Sequence, residues 1–347
     1  MTKMIRYGKQ NVMGLKQAFF DQNDGLLANQ LRINAIYARQ PVRHRCKLCD
    51  SSLPEDGGFT KHGVAYVQCP SCQHLNGRHE ETEGFCAAVY GADGGADYAR
   101  NYSSEDAEKY RDRVNQIYVP KAKFLLDALA AQGATLRDGV SDFGAGSGYF
   151  VAALQACGVK QVAGYEVSAA QVELARRMNP NATMVQHRLE ETEALARDAR
   201  ADVLSMIGVL EHVRNPRGVL SAVRANPHLR YLYISVPLFS ASVAIEALFP
   251  SIFPRQLSGA HTHLFTEASL QHMAREFGME SVAEWWFGTD MTDLLRSFVV
   301  HLEQTPEVEG LRRFAEEQFK PIVDDLQMAM DSRRLSSEVH MLLKVKR

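Results

Sequence analysis

The sequence predicts an α/β fold: a doubly wound, mostly parallel sheet with a small cysteine-bearing domain ahead of it. Three observations predict it. From about Tyr98 onward, short apolar runs alternate with helix-length amphipathic runs, and strand–helix repetition at that spacing makes βαβ units. The first strand-like run ends in "DFGAGSG", Asp142 to Gly148, a glycine-rich turn of the kind that closes over a nucleotide or nucleoside. Two C-x-x-C pairs, "CKLC" and "CPSC", stand well upstream of it.

In chain order, residues 1–40 carry apolar positions at helical spacing (Leu15 with Phe19, Leu27 with Leu31, Leu26 with Ile33 and Ile36), which predicts an amphipathic helical arm. Residues 41–95 hold the cysteine pairs and end in the hinge-like tract "GADGGAD". Residues 96–347 form the large domain. Its first segment, "EDAEKYRDRVNQIYVPKAKFLLDALAAQG", reads as helix with a proline break. Strand-like runs follow at "GVSDFG", "QVAGYE", "ATMVQH", "ADVLSMIG" and "LRYLYISVP". Two more, "SVAEWWFG" and "EVHMLLKVKR", flank a helical insert over about 290–334. The expectation is a Rossmann-like, seven-stranded sheet wound on both faces.

Composition narrows the function. The chain has 347 residues, 46% hydrophobic and 23% charged, which suits a soluble globular protein with one large and one small domain. A formal net charge of -2 argues against a polyanion-binding surface, so nucleic acid is not the expected partner. No apolar run approaches the roughly 18 residues that span a bilayer, and the first residues lack a signal-peptide pattern. The cytoplasm is the expected compartment. Its reducing conditions direct the six cysteines away from disulfides.

Gly144, Gly146 and Gly148 let the chain turn sharply off its strand and approach a ligand with no side chain in the way. A dinucleotide fingerprint, G-x-G-x-x-G, needs its third glycine at position 149, where Tyr149 stands. The spacing is instead G-x-G-x-G with an acid two residues ahead. The next strand ends in Glu166, 18 residues after Gly148, where a carboxylate can accept both hydroxyl protons of a ribose. The fourth strand runs into "MIGVLEHVRNP".

These three elements, in this order, resemble motif I, the ribose-binding acid and the L-E-H-V element of class I S-adenosylmethionine-dependent methyltransferases. The resemblance covers about Tyr98 to Arg347. It implies that Asp142 faces the amino group of S-adenosylmethionine, that Gly144, Ala145, Gly146 and Gly148 line its path, and that Ile207 and Gly208 sit near the sulfonium. Leu189 stands where many members carry an acid near the adenine. That departure leaves adenine recognition to backbone groups or to Gln186 and Glu190.

Cys46, Cys49, Cys69 and Cys72 form two knuckles with 19 residues between them. Four thiolates so spaced predict a zinc ribbon with structural Zn²⁺, because a filled tetrahedron leaves no position for substrate. A thioredoxin-like use is the alternative, but no βαβ pattern surrounds either pair. His44, His62 and His74 are expected at the surface, and Cys86 and Cys157 unligated, with Cys157 a small core residue.

The acceptor is expected beyond the fifth strand. Phe239 to Phe253 either roofs a pocket or packs on the helical insert. "GAHTHLFT" offers His261 and His263 as bases suited to removing a hydroxyl or enol proton, or as residues that only hold the loop. Glu211 and His212 are further acid–base candidates that also fit a structural role. Tyr98, Tyr102 and Tyr110 make either a lid or a solvated helix face. Ribbon, domain and loop together are similar to deoxysugar C-methyltransferases and to methyltransferases of surface-polysaccharide clusters. In the former a Glu-His pair abstracts the proton; here Ala260 and His261 match it, so O-methylation fits at least as well. The expected substrate is a small polar acceptor, a sugar or sugar nucleotide. Two competitors remain: a protein methyltransferase docking through its ribbon, and a cofactor-binding protein without catalysis.

Overall fold

Eight strands make the main sheet, and their order places the crevice. The computed structural model describes residues 3–4, 22–86, 88–89, 106–257 and 261–347. Leu15, Phe19, the tract at 91–97, Tyr98, Tyr102 and Ala260 therefore lie outside the described residues. The first strand is β1 (Lys3–Met4) and the first helix α1 (Asn23–Tyr37). The cysteine segment contributes β2 (Phe59–Lys61), β3 (Val64–Gln68), β4 (Leu75–Gly77) and the helical turn α2 (Glu83–Cys86). Next come α3 (Ala107–Arg113), α4 (Val119–Ala131), β5 (Val140–Phe143), α5 (Tyr149–Ala156), β6 (Val162–Glu166), α6 (Ala169–Met178) and β7 (Thr183–Gln186). The chain continues through α7 (Thr192–Asp198), β8 (Val203–Ile207), α8 (Pro216–Ala225), β9 (Tyr231–Pro237), α9 (Ala241–Leu248), β10 (His263–Leu264) and α10 (Glu267–Glu276). It ends with β11 (Met279–Phe287), α11 (Asp290–Glu303), α12 (Leu311–Phe319), α13 (Val323–Asp331) and β12 (Glu338–Val345).

The sheet order is β1-β11-β12-β9-β8-β5-β6-β7. β5, β6, β7, β8 and β9 pair in parallel, and β12 runs antiparallel to both β9 and β11. The seven predicted strands are all present; β1 adds a two-residue edge. From β5 the chain winds outward to β6 and β7, then returns to β8 and β9 on the other side. That reversal puts a crevice at the carboxyl ends of β5 and β8, where open sheets bind ligands. Two apolar layers cover the faces, one around Phe124, Phe150 and Tyr233 and one around Leu204, Ile234 and Leu343. The proline break falls at the start of α4, whose first turn tolerates Pro120 because its amide has no helical partner there. A π-helical turn, Val114–Tyr118, joins it to α3.

The helix predicted in the arm is present, and its inward side is part polar. Asn23, Gln30, Asn34 and Tyr37 face inward, and Leu31 is 42% exposed. Each inward polar group has a partner: Asn23 donates to the Ser251 carbonyl at 2.9 Å and Asn34 to the His62 carbonyl at 3.1 Å. Polar side chains are buried readily when bonded, and they share the inward side with the half-buried Leu26, Ile33 and Ile36.

β10, from the large domain, pairs antiparallel with β4 and completes a four-stranded sheet of order β10-β4-β3-β2. The cysteine segment is also packed into the large core through Leu48, Leu53 and Val67. The long segment after β9 is tied to the insert: Asp290 Oδ1 accepts from Ser240 Oγ at 2.6 Å and Ser242 N at 3.0 Å, and Arg255 meets Asp293 at 3.0 Å. Among the described residues no helix is long and apolar enough to cross a membrane.

Candidate cofactor crevice and cysteine centre

The crevice is made of what β5, β6 and β8 leave at their carboxyl ends. β5 stops because Gly144 takes a left-handed conformation, φ +67°, which turns its amide and that of Ala145 onto the Tyr165 carbonyl at 2.8 and 3.0 Å. A Cβ on Gly144 would lie 2.4 Å from Val209 Cγ2, so only glycine fits where β5 faces the loop after β8. Gly144 and Gly208 are exposed and Gly146 is half-exposed. Bare main chain therefore borders the opening on both sides of the reversal. Ile207, half-buried, ends β8, and the Gly208 amide donates to the Ser235 carbonyl at 2.9 Å.

Glu166 is 6% exposed and holds the glycine loop. Its Oε2 accepts the Gly146 amide at 2.8 Å, and Oε1 accepts the Val167 and Ser168 amides at 2.9 and 2.8 Å. A carboxylate offers about four lone-pair sites, so three amides leave room for a ligand hydroxyl. Gripping two hydroxyls requires one amide to give way. Asp142 lies opposite Ser205 in the β5–β8 pairing, and its Oδ1 accepts the Ser205 hydroxyl at 2.6 Å. Burial pushes the Asp142 carboxyl up to about 7 against that hydrogen bond, with the charge of Glu166 adding to the rise. Leu189 begins a turn of 3₁₀ helix, Leu189–Glu191, and is 41% exposed. Val167, next to Glu166, is exposed too; these two apolar surfaces are of the kind a purine face covers.

Tyr110 is one of three tyrosines that the sequence offers for a lid or a solvated helix face, and the structure gives it a third role. It is buried, its hydroxyl donates to the Ser147 carbonyl at 3.0 Å, and its ring stacks on Tyr149 at 4.6 Å. The helix read as a lid or a solvated face thus clamps the glycine loop from behind. No spacing signal marks such a residue.

At the mouth of β8, Glu211, His212 and His261 each present a ligand atom within 4.8 Å of the others. The His212 and His261 rings stand 5.0 Å apart. Glu211 is buried, and burial raises its carboxyl to about 8. His261 is lowered by burial, against a hydrogen bond to the Gln256 carbonyl at 3.1 Å. His263 lies elsewhere: it is 1% exposed, on β10, with Nδ1 2.8 Å from Nε2 of His74. His74, expected at the surface, is fully buried because β10 covers it. Burial lowers its imidazole to about 3, helped by the charge of Lys47.

A family model described as a methyltransferase domain matches residues 110–284, just over half of the chain. The chain belongs to this methyltransferase family. Its cofactor is S-adenosylmethionine. A search of curated proteins finds no match. Solved structures similar to it include a protein of Galdieria sulphuraria assigned as a sarcosine dimethylglycine methyltransferase, 14% identical, covering 65% of this chain and 85% of its own, with a TM-score of 0.43. Another is the magnesium protoporphyrin IX methyltransferase of Synechocystis PCC 6803 with bound S-adenosylhomocysteine (16% identity, 58% and 90% coverage, TM-score 0.43). A third is the plantazolicin methyltransferase BpumL with S-adenosylhomocysteine (13%, 75% and 94%, 0.46).

The methyltransferase carries its four cysteines as one cluster. Cys46 Sγ lies 3.6 Å from Cys72 Sγ, and Cys49 Sγ 3.6 Å from Cys69 Sγ. A tetrahedral ion at the usual ~2.3 Å Zn–S distance sets its sulfurs about 3.8 Å apart, so the donor set fits. Each knuckle closes in the same way: Asp50 (φ +59°) and Gln73 (φ +63°) take left-handed conformations, and their amides donate to the Cys46 and Cys69 carbonyls at 2.9 and 2.8 Å. Asn76 donates to Cys46 Sγ at 3.6 Å and accepts the Lys47 amide at 2.9 Å, which orients that sulfur. Cys86 and Cys157 stand apart from this cluster; Cys86 is buried and Cys157 half-buried.

Proposed function

We propose that this methyltransferase moves a methyl group from S-adenosylmethionine to a hydroxyl oxygen of a small polar acceptor, a sugar or sugar nucleotide, while its four cysteines hold one structural Zn²⁺. One observation carries the reading: donor and acceptor groups adjoin. A Cβ on Gly208, at the mouth of the crevice, would lie 3.7 Å from Glu211 Oε1. Glu211 in turn belongs to the cluster with His212 and His261.

The bound cofactor supplies an electrophilic methyl on a sulfonium. The chain's own residues do the rest. Glu166 takes a ribose hydroxyl, Asp142 accepts from the amino group, and Gly144, Ala145, Gly146 and Gly148 admit the amino-acid portion. Val167 and Leu189 cover the adenine, and Ile207 and Gly208 flank the methyl. In-line alignment supplies most of the acceleration in such a transfer. The acceptor oxygen bonds to the methyl carbon, the carbon–sulfur bond breaks onto sulfur, and the hydroxyl proton leaves through the His261 cluster. His261, lowered by burial, is neutral at pH 7 and able to face that proton. His263, locked to His74, holds β10 to the ribbon.

Support for an oxygen acceptor comes from Ala260, which stands where sugar C-methyltransferases carry the acid of their proton-abstracting pair. The test is transfer from isotopically labelled S-adenosylmethionine to a panel of nucleotide sugars, followed by mapping the methylated atom. An O-methyl product supports the reading; a C-methyl product, or methylation only of protein in a lysate, contradicts it.

A further inference from the structure

We propose that Glu211, His212 and His261 form a second metal site, distinct from the four-cysteine cluster, that takes a divalent first-row transition-metal ion. Among the described residues these three and the four cysteines are the two groups whose donor atoms converge tightly enough to hold an ion. The donors are two imidazoles and a carboxylate, the set that suits Zn²⁺, Fe²⁺ or Mn²⁺ rather than Mg²⁺ or Ca²⁺, which prefer oxygen. Three protein ligands leave positions open.

Two independent features point to a cation. Glu211 Oε2 is buried and has no hydrogen-bond partner within the protein, in a residue 3% exposed. A buried carboxyl oxygen with no partner is costly, and a cation is the partner that keeps such a group ionised. Second, His261 Nδ1 lies 3.1 Å from the Gln256 carbonyl. Donation there fixes the tautomer that leaves a lone pair on Nε2, the usual orientation of a metal-ligating histidine. The charged groups that act on Glu211 from other elements are Glu338 on β12 and Lys121 on α4. Those two lie 3.9 Å from each other, so each offsets the other and neither supplies Oε2 with a partner.

The inference deepens the proposed oxygen transfer and rests on that reading only for its purpose. An acceptor hydroxyl in an open position of the ion becomes more acidic. With the ion bound its proton passes to solvent rather than to His261, its oxygen attacks the methyl carbon, and the carbon–sulfur electron pair returns to sulfur. His261 is then a ligand, and the cluster as a whole does what a lone base does less well.

The test is calorimetric titration of the zinc-loaded, dialysed full-length protein with ZnCl₂, paired with absorption spectra on adding CoCl₂. One additional ion per chain is expected, with ligand-field bands and no thiolate charge transfer. His261→Ala and Glu211→Gln should each weaken it beyond the ~10–100-fold typical of an outer-sphere change. No additional ion in the unsubstituted protein, or an ion retained undiminished in both variants, overturns the site. S-adenosylhomocysteine titration of the same samples separates the outcomes: its binding with no second ion removes the metal and keeps the methyltransferase reading.

Discussion

The carboxylate of Glu166 and the amide of Gly146 meet at 2.8 Å, and this contact ties the glycine loop to the end of the neighbouring strand. With the Val167 and Ser168 amides on the other oxygen, one side chain fixes both the loop and the turn that follows β6. On the proposed reading, ribose recognition by Glu166 is coupled to the conformation of the loop that it holds.

Asp142 gives a pH signature. Its free-state carboxyl sits near 7 because it is buried, and a cofactor ammonium stabilises the ionised form, so the pKa falls on binding. Affinity for S-adenosylhomocysteine is then full above pH 7 and declines below it, approaching tenfold per pH unit. Asp142→Asn should flatten the profile. Calorimetry from about pH 6 to about pH 8, roughly one unit either side of the free-state value, reads it directly.

Two glycines should behave oppositely. Gly144→Ala places a Cβ 2.4 Å from Val209 in a left-handed backbone that disfavours side chains by ~1–2 kcal/mol, so it should lower both stability and cofactor affinity. Gly25, inside α1 with nothing near its Cβ position, should be stabilised by ~0.5–1 kcal/mol as Ala. Denaturant melts of the two variants decide this.

Much of this was legible beforehand, and the exceptions share a cause. The seven strands, the glycine turn and the cysteine knuckles are local: periodicity 2, positive-φ glycines and C-x-x-C spacing each fix short-range geometry. What failed depended on partners distant in sequence. His74 is buried by β10, which lies far along the chain. The polar share of α1's inward face, Asn23, Asn34 and the Tyr37 hydroxyl, follows carbonyls at Ser251, His62 and His79. The meeting of Glu211 and His212 with His261 needs the whole connection through β9 and α9, and no spacing rule spans it. The knuckle turns at Asp50 and Gln73 were hidden because neither is the glycine such a turn usually announces.

Tyr110 should matter more than its position in a short helix suggests. Tyr110→Phe keeps the stack on Tyr149 but orphans the Ser147 carbonyl, a loss of about 0.5–1.5 kcal/mol. Cofactor affinity should weaken several-fold as the loop loosens, with the far-ultraviolet spectrum unchanged. Equal affinity in the variant places the clamp outside the loop's function.

The four-cysteine cluster predicts zinc dependence of folding. Cys72→Ser should lose one zinc equivalent per chain relative to the unsubstituted protein and unfold roughly 10 °C lower, since structural metal binding is folding free energy. Because Leu48, Leu53 and Val67 pack into the large core, the melt should remain a single transition. Elemental analysis and calorimetry of one preparation give both numbers.

Everything above turns on whether the crevice at β5, β6 and β8 takes S-adenosylmethionine through Glu166. Titration of S-adenosylhomocysteine and of NAD into the protein and into Glu166→Ala tests it most directly. Stoichiometric binding of the first ligand is expected, none of the second, and an affinity at least about 100-fold weaker in the variant, the cost of losing a charge-assisted contact. Undiminished binding to Glu166→Ala, or a preference for NAD, would contradict it.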